Sequence, residues 1–262
     1  MVGIGRVGIV GGAGWLGSAI AQALVKSGTV SSSDLTCSYR SGKPEIAVDC
    51  NWTNDNAELV ENSDVVILSV RPADWKAVDI EASGKLVVSV MAGVNVLDIK
   101  KRTGSARVAR ALPNAAAELG CSYTPIFMRS TEPADSDIAR ALFMTCGAVD
   151  IVSSEDHIDY FTAMSGSGEA FPALLADAMM KDAVRQGIDP NIARRAAQQV
   201  IVGAGKLQAH HGLSPSATVK AFVDYRGTTA AGIVEMREKG FEAIVAAGLQ
   251  AAYRKSQALS KD

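Results

Sequence analysis

Six residues near the start of the chain, Gly12-Ala13-Gly14-Trp15-Leu16-Gly17, constrain its fold more than any others. They follow a short apolar run, residues 6–11, and open a stretch with helical spacing, residues 15–27. Glycines in a GxGxxG pattern have separate uses at a strand-to-helix turn. Gly12 is expected to make the tight turn, Gly14 to let the backbone approach a pyrophosphate, and Gly17 to let the helix pack on the strand. The helix start adds free N–H groups and a partial positive charge. Alone the pattern is weak, and a glycine-rich turn without a ligand is the bland alternative. Its place in the first strand–turn–helix unit gives it weight. Gly12, Ala13, Gly14, Trp15, Leu16 and Gly17 are therefore the first candidate binding residues, for a dinucleotide.

The stretch that follows supports this reading. Strand patterns at residues 35–39, 64–70, 86–90 and 106–111 alternate with helical ones. The run Asp64-Val65-Val66-Ile67-Leu68-Ser69-Val70 is continuous and β-branched, as in a strand covered on both faces. A helix is expected near residues 54–62. Residues 121–127, a helix over 135–145, and residues 148–152 complete the sheet at its edge. From about residue 155 strand signals nearly vanish. Ala-rich helical stretches take over at residues 159–186, 190–208, 214–223 and 228–260. Asp189-Pro190 and Ser214-Pro215 mark helix starts, and Gly187 and Gly212 sit where helix ends are expected. The expected fold class is α/β, an N-terminal Rossmann-type doubly wound sheet followed by an all-helical C-terminal domain, with domains at residues 1–153 and 154–262. Small residues such as Ala196, Ala197, Gly203, Ala204 and Gly205 permit close helix packing. They suit self-association through the C-terminal helices, as a homodimer at least.

The end of the second strand bears on which dinucleotide binds. Sites for NAD usually carry an acid there. This chain has Ser38-Tyr39-Arg40-Ser41, with no acid between Thr36 and Lys43. A guanidinium beside hydroxyls suits a 2′-phosphate. NADPH is thus the expected cofactor, with NADH possible but weaker, and Arg40 and Ser41 are the phosphate ligands. Arg40 as a solvated loop residue is the alternative. Lys and Arg total 26 against 28 acids, so no nucleic-acid partner is expected. No apolar run reaches membrane-spanning length, and residues 1–6 lack the marks of a secretory leader. Scattered Cys37, Cys50, Cys121 and Cys146 offer no metal-ligand spacing, so no metal is expected and a cytoplasmic setting is.

Further segments, in order along the chain, resemble the pyrroline-5-carboxylate reductase family. They are Asp64-Val65-Val66-Ile67-Leu68-Ser69-Val70-Arg71-Pro72, Ser89-Val90-Met91-Ala92-Gly93-Val94, Arg110-Ala111-Leu112-Pro113-Asn114, Thr162-Ala163-Met164-Ser165-Gly166-Ser167-Gly168, Gly203-Ala204-Gly205-Lys206, and Arg226-Gly227-Thr228-Thr229-Ala230-Ala231-Gly232. Their collinearity over nearly the whole chain makes the signal specific. The resemblance implies NADPH-dependent reduction of the C=N bond of 1-pyrroline-5-carboxylate to L-proline, and a helical domain that interlocks with its twin. It places Asn56 near the adenosine of the cofactor, Val70, Arg71 and Pro72 along it, and Ala92 towards the nicotinamide. Pro113 and Asn114 belong to the next strand end. Gly227, Thr228 and Thr229 open the last helical stretch, where unpaired N–H groups suit a substrate carboxylate. The resemblance implies that Thr229 touches the imine nitrogen. A helix cap is the plainer use for that side chain, and the two are compatible. Ser165 lies at the floor of the substrate pocket or at a subunit contact.

The chain also departs from the family. Asp224-Tyr225-Arg226-Gly227 replaces the usual Ser-Pro-Gly-Gly, Ala115-Ala116 replaces Thr-Pro, and Glu169 replaces Pro. Arg226 either neutralises Asp224 or holds the substrate carboxylate. These changes leave open a different cyclic imine or an oxo acid as substrate. A non-catalytic dinucleotide-binding protein is a third reading, from another class. The related β-hydroxyacid dehydrogenases rely on a lysine, for which Lys206 is the only candidate here.

Overall fold

A computed structural model describes residues 3–42, 44, 48–130 and 132–259. Met1, Val2, Lys43 and Ser260, on which parts of the sequence reading fall, lie outside the described residues. The chain begins with β1 (Val7–Val10), α1 (Trp15–Lys26), β2 (Leu35–Ser38), β3 (Asn51–Thr53), α2 (Asn56–Glu61) and β4 (Val65–Leu68). It continues through β5 (Leu86–Ser89), α3 (Val96–Thr103), β6 (Arg107–Ala111), β7 (Ser122–Arg129), α4 (Pro133–Met144) and β8 (Gly147–Val152). The remainder is helical: α5 (Glu155–Met164), α6 (Ala170–Arg185), α7 (Pro190–His211), α8 (Pro215–Asp224), α9 (Thr228–Glu238) and α10 (Phe241–Leu259).

The eight strands form one sheet in the order β3-β2-β1-β4-β5-β6-β7-β8. All neighbours are parallel except β6 and β7, where Ala109 pairs antiparallel with Met128. The order reverses at β1, whose Val7 lies between Leu35 of β2 and Val65 of β4. Open α/β sheets bind ligands at the carboxyl ends of the strands beside such a reversal. Side chains alternate across the sheet. Val65 and Ile67 join Ile9, Ile20, Leu24, Leu86 and Phe143 in the core on one face. Val66 and Leu68 join Leu59, Trp75, Val87 and Ile99 on the other. Burial on both faces explains the unbroken β-branched runs, and each such side chain contributes roughly 1.5–3 kcal/mol.

Helix limits follow from local chemistry. The Asp55 carboxylate accepts from the N–H groups of Ala57 and Glu58, starting α2. Asp189 caps α7 by accepting from Asn191 and Ile192, with Pro190 in the first turn. Gly212 ends α7 at a φ of 63°, in the left-handed region that glycine enters without strain.

The described residues divide into two compact units, one running to Ser167 and resuming at Ala252, the other from Gly168 to Ala251. The sequence placed a boundary near residue 153, before α5. That helix belongs to the first unit because ion pairs tie it to the sheet. Arg110 of β6, only 1% exposed, donates to Glu155 at 2.9 Å and to Asp159 at 3.2 Å. Glu155 also accepts from the N–H of Val96, at the start of α3, at 2.8 Å. The end of α10 rejoins the same unit, with Tyr253 packed edge-on against Tyr160. The second unit holds α6 to α9 and most of α10, and buries very little. Ala193, Ala197 and Ala230 are its buried apolar residues, while Phe171, Leu174, Ile192, Val200, Leu207 and Phe222 are exposed.

A further ion pair fixes the start of α4 to the start of β6. Asp135 is fully buried and accepts from Arg107 Nε at 3.0 Å and from Ser130. Burial works to raise the Asp135 pKa, but the hydrogen bonds from Arg107 and Ser130 prevail and hold it below its ordinary value near 3.8. A lowered folded pKa stabilises the fold above the unfolded value, and that stabilisation disappears as pH falls through the folded one. Asp135→Ala is expected to cost about 2–3 kcal/mol at pH 7, because it leaves a partly buried guanidinium unpaired. In urea titrations this deficit should shrink as the pH is lowered below 4.

Candidate active site

The carboxyl ends of β1, β2 and β4 bring together the loops that the sequence singled out. Gly11, not Gly12, makes the tight turn after β1. Its φ is 81°, and a Cβ there would lie 2.5 Å from the carbonyl oxygen of Ser69. Gly12 serves a different purpose. A Cβ on Gly12 would come within 2.6 Å of the Cys37 Cβ, so the missing side chain lets the loop lie against β2. Gly17 acts as expected. A Cβ there would meet the Gly11 carbonyl oxygen at 2.6 Å and the Gly12 Cα at 2.9 Å, so only glycine seats α1 this close to the loop.

Ser38, at the end of β2, fixes this loop from the side. Its hydroxyl accepts from the N–H of Gly11 at 3.1 Å, and its carbonyl accepts from that of Ala13 at 3.3 Å. Gly14 is the residue before α1, and no side chain caps the helix there. The first-turn N–H groups around Trp15, Leu16 and Gly17 thus remain available at the positive end of a twelve-residue helix. A backbone stripped of side chains in front of such a helix start fits a pyrophosphate.

Arg40 and Ser41 follow β2, and Val70, Arg71 and Pro72 follow β4. Arg40 is not a lone cation. Its Nη1 lies 3.3 Å from Asp74 Oδ1, and Arg71 Nε lies 2.7 Å from Asp74 Oδ2. The hydrogen bond from Arg71, joined by the charge of Arg40, holds the Asp74 carboxyl below its usual range. Asn56 begins α2 just beyond β3 and is half-buried. Ala92 lies past β5, next to Gly93, whose φ of 72° and close approach to Leu259 dock the chain's last helix on this loop.

Asn114 and Ser165 meet. Asn114 Nδ2 donates to the Ser165 carbonyl at 2.8 Å, and its Oδ1 accepts from the N–H of Ala116 at 3.1 Å. The Ser165 hydroxyl in turn donates to the Phe161 carbonyl at 3.1 Å. Both polar side chains are used within the fold, so they brace the strand end against the end of α5.

The second unit carries residues 226–229. Gly227 precedes α9 and Thr228 and Thr229 form its first turn, exposed and without a side-chain cap. The Thr229 hydroxyl has no partner among the described residues and does not cap the helix. Arg226 adopts a φ of 56°, the only left-handed residue other than glycine among those described. It does not neutralise Asp224, which pairs instead with Lys220 at 2.5 Å, one helical turn earlier. Arg226 makes no ion pair among the described residues.

The sequence reading missed Gly11, Ser38 and Asp74. The three-residue spacing from Arg71 to Asp74, with Pro72 between them, could have signalled a turn that returns a carboxylate to the preceding arginine. No group of three or more His, Cys, Asp or Glu residues suited to a metal ion occurs among the described residues.

Comparison with known proteins agrees with this geometry. Residues 155–259 match the family described as pyrroline-5-carboxylate reductase dimerisation, and residues 6–93 the family described as NADP oxidoreductase coenzyme F420-dependent. The pyrroline-5-carboxylate reductase of Synechocystis is 32% identical over 79% of each chain. That of Methanosarcina acetivorans is 30% identical over 98% of each. Among solved structures, a pyrroline-5-carboxylate reductase from Coxiella burnetii superposes with a TM-score of 0.89 at 26% identity, covering 99% of this chain and 100% of its own. The Plasmodium falciparum pyrroline carboxylate reductase, solved with NADP bound, shares the fold at a TM-score of 0.81 and 22% identity over 98% of each chain. With a relative 30% identical along almost its whole length, this chain belongs to the pyrroline-5-carboxylate reductase family.

Proposed function

We propose that this protein reduces the C=N bond of 1-pyrroline-5-carboxylate to L-proline with NADPH, in the cytosol and as a homodimer. The observation that carries the reading is the pair of uncapped helix starts, one beside a glycine-lined loop with arginines at the strand ends, the other bearing Thr228 and Thr229. The first suits a pyrophosphate and a 2′-phosphate, and the second a carboxylate beside a nitrogen. The reductase relatives named above supply the reaction class.

Bound NADPH supplies the hydride that the imine carbon receives. The protein's own task is binding, orientation and proton handling. The N–H groups of Thr228 and Thr229 donate to the substrate carboxylate at the positive end of α9. The Thr229 hydroxyl donates to the nitrogen of a neutral imine, which takes its proton from solvent as it becomes an amine, or accepts from the N–H of an iminium, which already carries that proton. Gly227 has no side chain of its own before these donors, and the Tyr225 ring packs against it. Arg226, unpaired by Asp224, adds a positive charge beside them.

That last feature also favours a second reading, another carboxylate-bearing imine, because Arg226 stands where the family usually has glycine. Purified protein should oxidise NADPH with pyrroline-5-carboxylate and release proline. Cyclic imines tested beside it decide between the readings: a carboxylate-bearing imine turned over far faster would replace pyrroline-5-carboxylate as the substrate. Thr229→Val should lower kcat/KM by about 5- to 150-fold, the scale of ~1–3 kcal/mol for a lost donor, with the NADPH Kd unchanged. Full activity in that variant would remove Thr229 from the site.

The second unit's surface supports the homodimer reading. Its helices expose Phe171, Leu174, Ile192, Val200, Leu207 and Phe222, and large exposed apolar surfaces mark interaction sites. Sedimentation at micromolar concentration should give a dimer or a multiple of one. An active monomer would overturn the assignment.

A further inference from the structure

Two loops carry a charge arrangement that the reaction itself does not require. Arg40 follows β2 and Arg71 follows β4, the strands on either side of β1 and its glycine turn. Both guanidinium groups lean on one carboxylate, Asp74, at 3.3 Å and 2.7 Å. The arginine side chains are 77% and 74% exposed and the aspartate 31%, so the triad is open to solvent and to a ligand. Each contact uses a single nitrogen of the guanidinium, Nη1 of Arg40 and Nε of Arg71. Each arginine therefore keeps further N–H groups for an anion.

We propose that Asp74 is a specificity-determining residue that limits the preference of this protein for NADPH over NADH, by occupying the two arginines that a 2′-phosphate would engage. This rests on the reading of Arg40 as the 2′-phosphate ligand. A nucleotide phosphate monoester carries nearly two negative charges at neutral pH, like other phosphate monoesters. To reach Arg40 and Arg71 it must either displace the carboxylate or sit beside it. A doubly charged anion about 6 Å from a single negative charge, in a water-like dielectric, loses roughly tenfold in affinity, and 0.1 M salt reduces that penalty. A ribose 2′-hydroxyl meets no such repulsion, and can donate to a carboxylate as it does in NAD sites. Asp74 thus disfavours the phosphorylated cofactor and spares the other. It supplies in space the acid that is missing from the end of β2 in the sequence.

The opposite role is also chemically distinct. If Asp74 served only to hold the two arginines ready for the phosphate, removing its charge would weaken NADPH binding. Asp74→Asn keeps the shape and an acceptor oxygen, and separates the two. Binding is read by calorimetry with NADPH and NADH, and with the fragments 2′,5′-ADP and 5′-AMP, which report on this end of the cofactor without turnover. NADPH and 2′,5′-ADP should each bind roughly 3- to 10-fold more tightly to the variant, with the gain falling at 0.5 M salt. NADH and 5′-AMP should change by less than twofold or bind more weakly. Unchanged or weaker NADPH binding overturns the proposal. Arg40→Ala is measured in parallel. If it weakens NADPH and NADH equally, the placement of Arg40 fails and the proposal with it. If it weakens NADPH alone while Asp74→Asn leaves the selectivity as it was, only the role of Asp74 is refuted.

Discussion

The geometry of the sheet's carboxyl edge depends on how closely α1 and its loop approach β1 and β2. Three missing side chains allow it: Gly11 turns left-handed beneath Ser69, Gly12 lies against Cys37, and Gly17 rests on the Gly11 carbonyl. A methyl group at either of the last two positions would have to displace atoms that lie less than 3 Å away. Such displacement would move the helix start relative to the strand ends, and with it the only uncapped positive helix end on this loop. Ser38 then ties the loop to β2, and so to the residues Arg40 and Ser41 that follow. The features that suit a dinucleotide here are therefore properties of the backbone first.

Charge organises the rest of the first unit in the same economical way. Arg110 is buried and would be costly unpaired, so Glu155 and Asp159 must accompany it. Burial pushes the Asp159 carboxyl up, and the Arg110 charge opposes that shift. The pairing makes α5 an extension of the sheet domain rather than the first helix of the next unit. Asn114 and Ser165 tighten the same junction from the other end of α5. The buried arginine on β6 thus ties α5 to the sheet, so the compact unit runs to Ser167, past the change in composition near residue 153.

What the sequence made legible follows from how each element earns its stability. Strands β1, β4 and β5 are buried on both faces, so continuous apolar runs announced them. Strand β3, Asn51–Thr53, is a short edge strand with one apolar residue, and no pattern marks it. Helix α3 was missed because five of its eight residues are polar or charged, although Asn95 and Gly104 cap it at both ends. The stretch read as 228–260 is two helices, broken at Gly240, whose φ is 83°. The stretch 159–186 is also two, interrupted at residues 165–169, where the two glycines had signalled a break. Family motifs pointed to Arg71, Asn114 and Thr229 but not to Asp74, on which two loops far apart in sequence converge.

Arg226 shows most clearly how local strain and charge combine. A side chain in the left-handed region costs about 1–2 kcal/mol that glycine avoids. The structure keeps arginine there, at the residue before Gly227 and the first turn of α9. Lys220 already satisfies Asp224, so the strain is not offset by that ion pair. Two sources of positive potential remain side by side, the guanidinium and the unpaired N–H groups of the helix start. Repulsion between them is modest because both face water. An anion held between them would remove that repulsion and gain a charge-assisted hydrogen bond besides. Arginine in place of the family's glycine therefore adds positive charge to this end of α9, while the Thr229 hydroxyl next to it has no partner among the described residues.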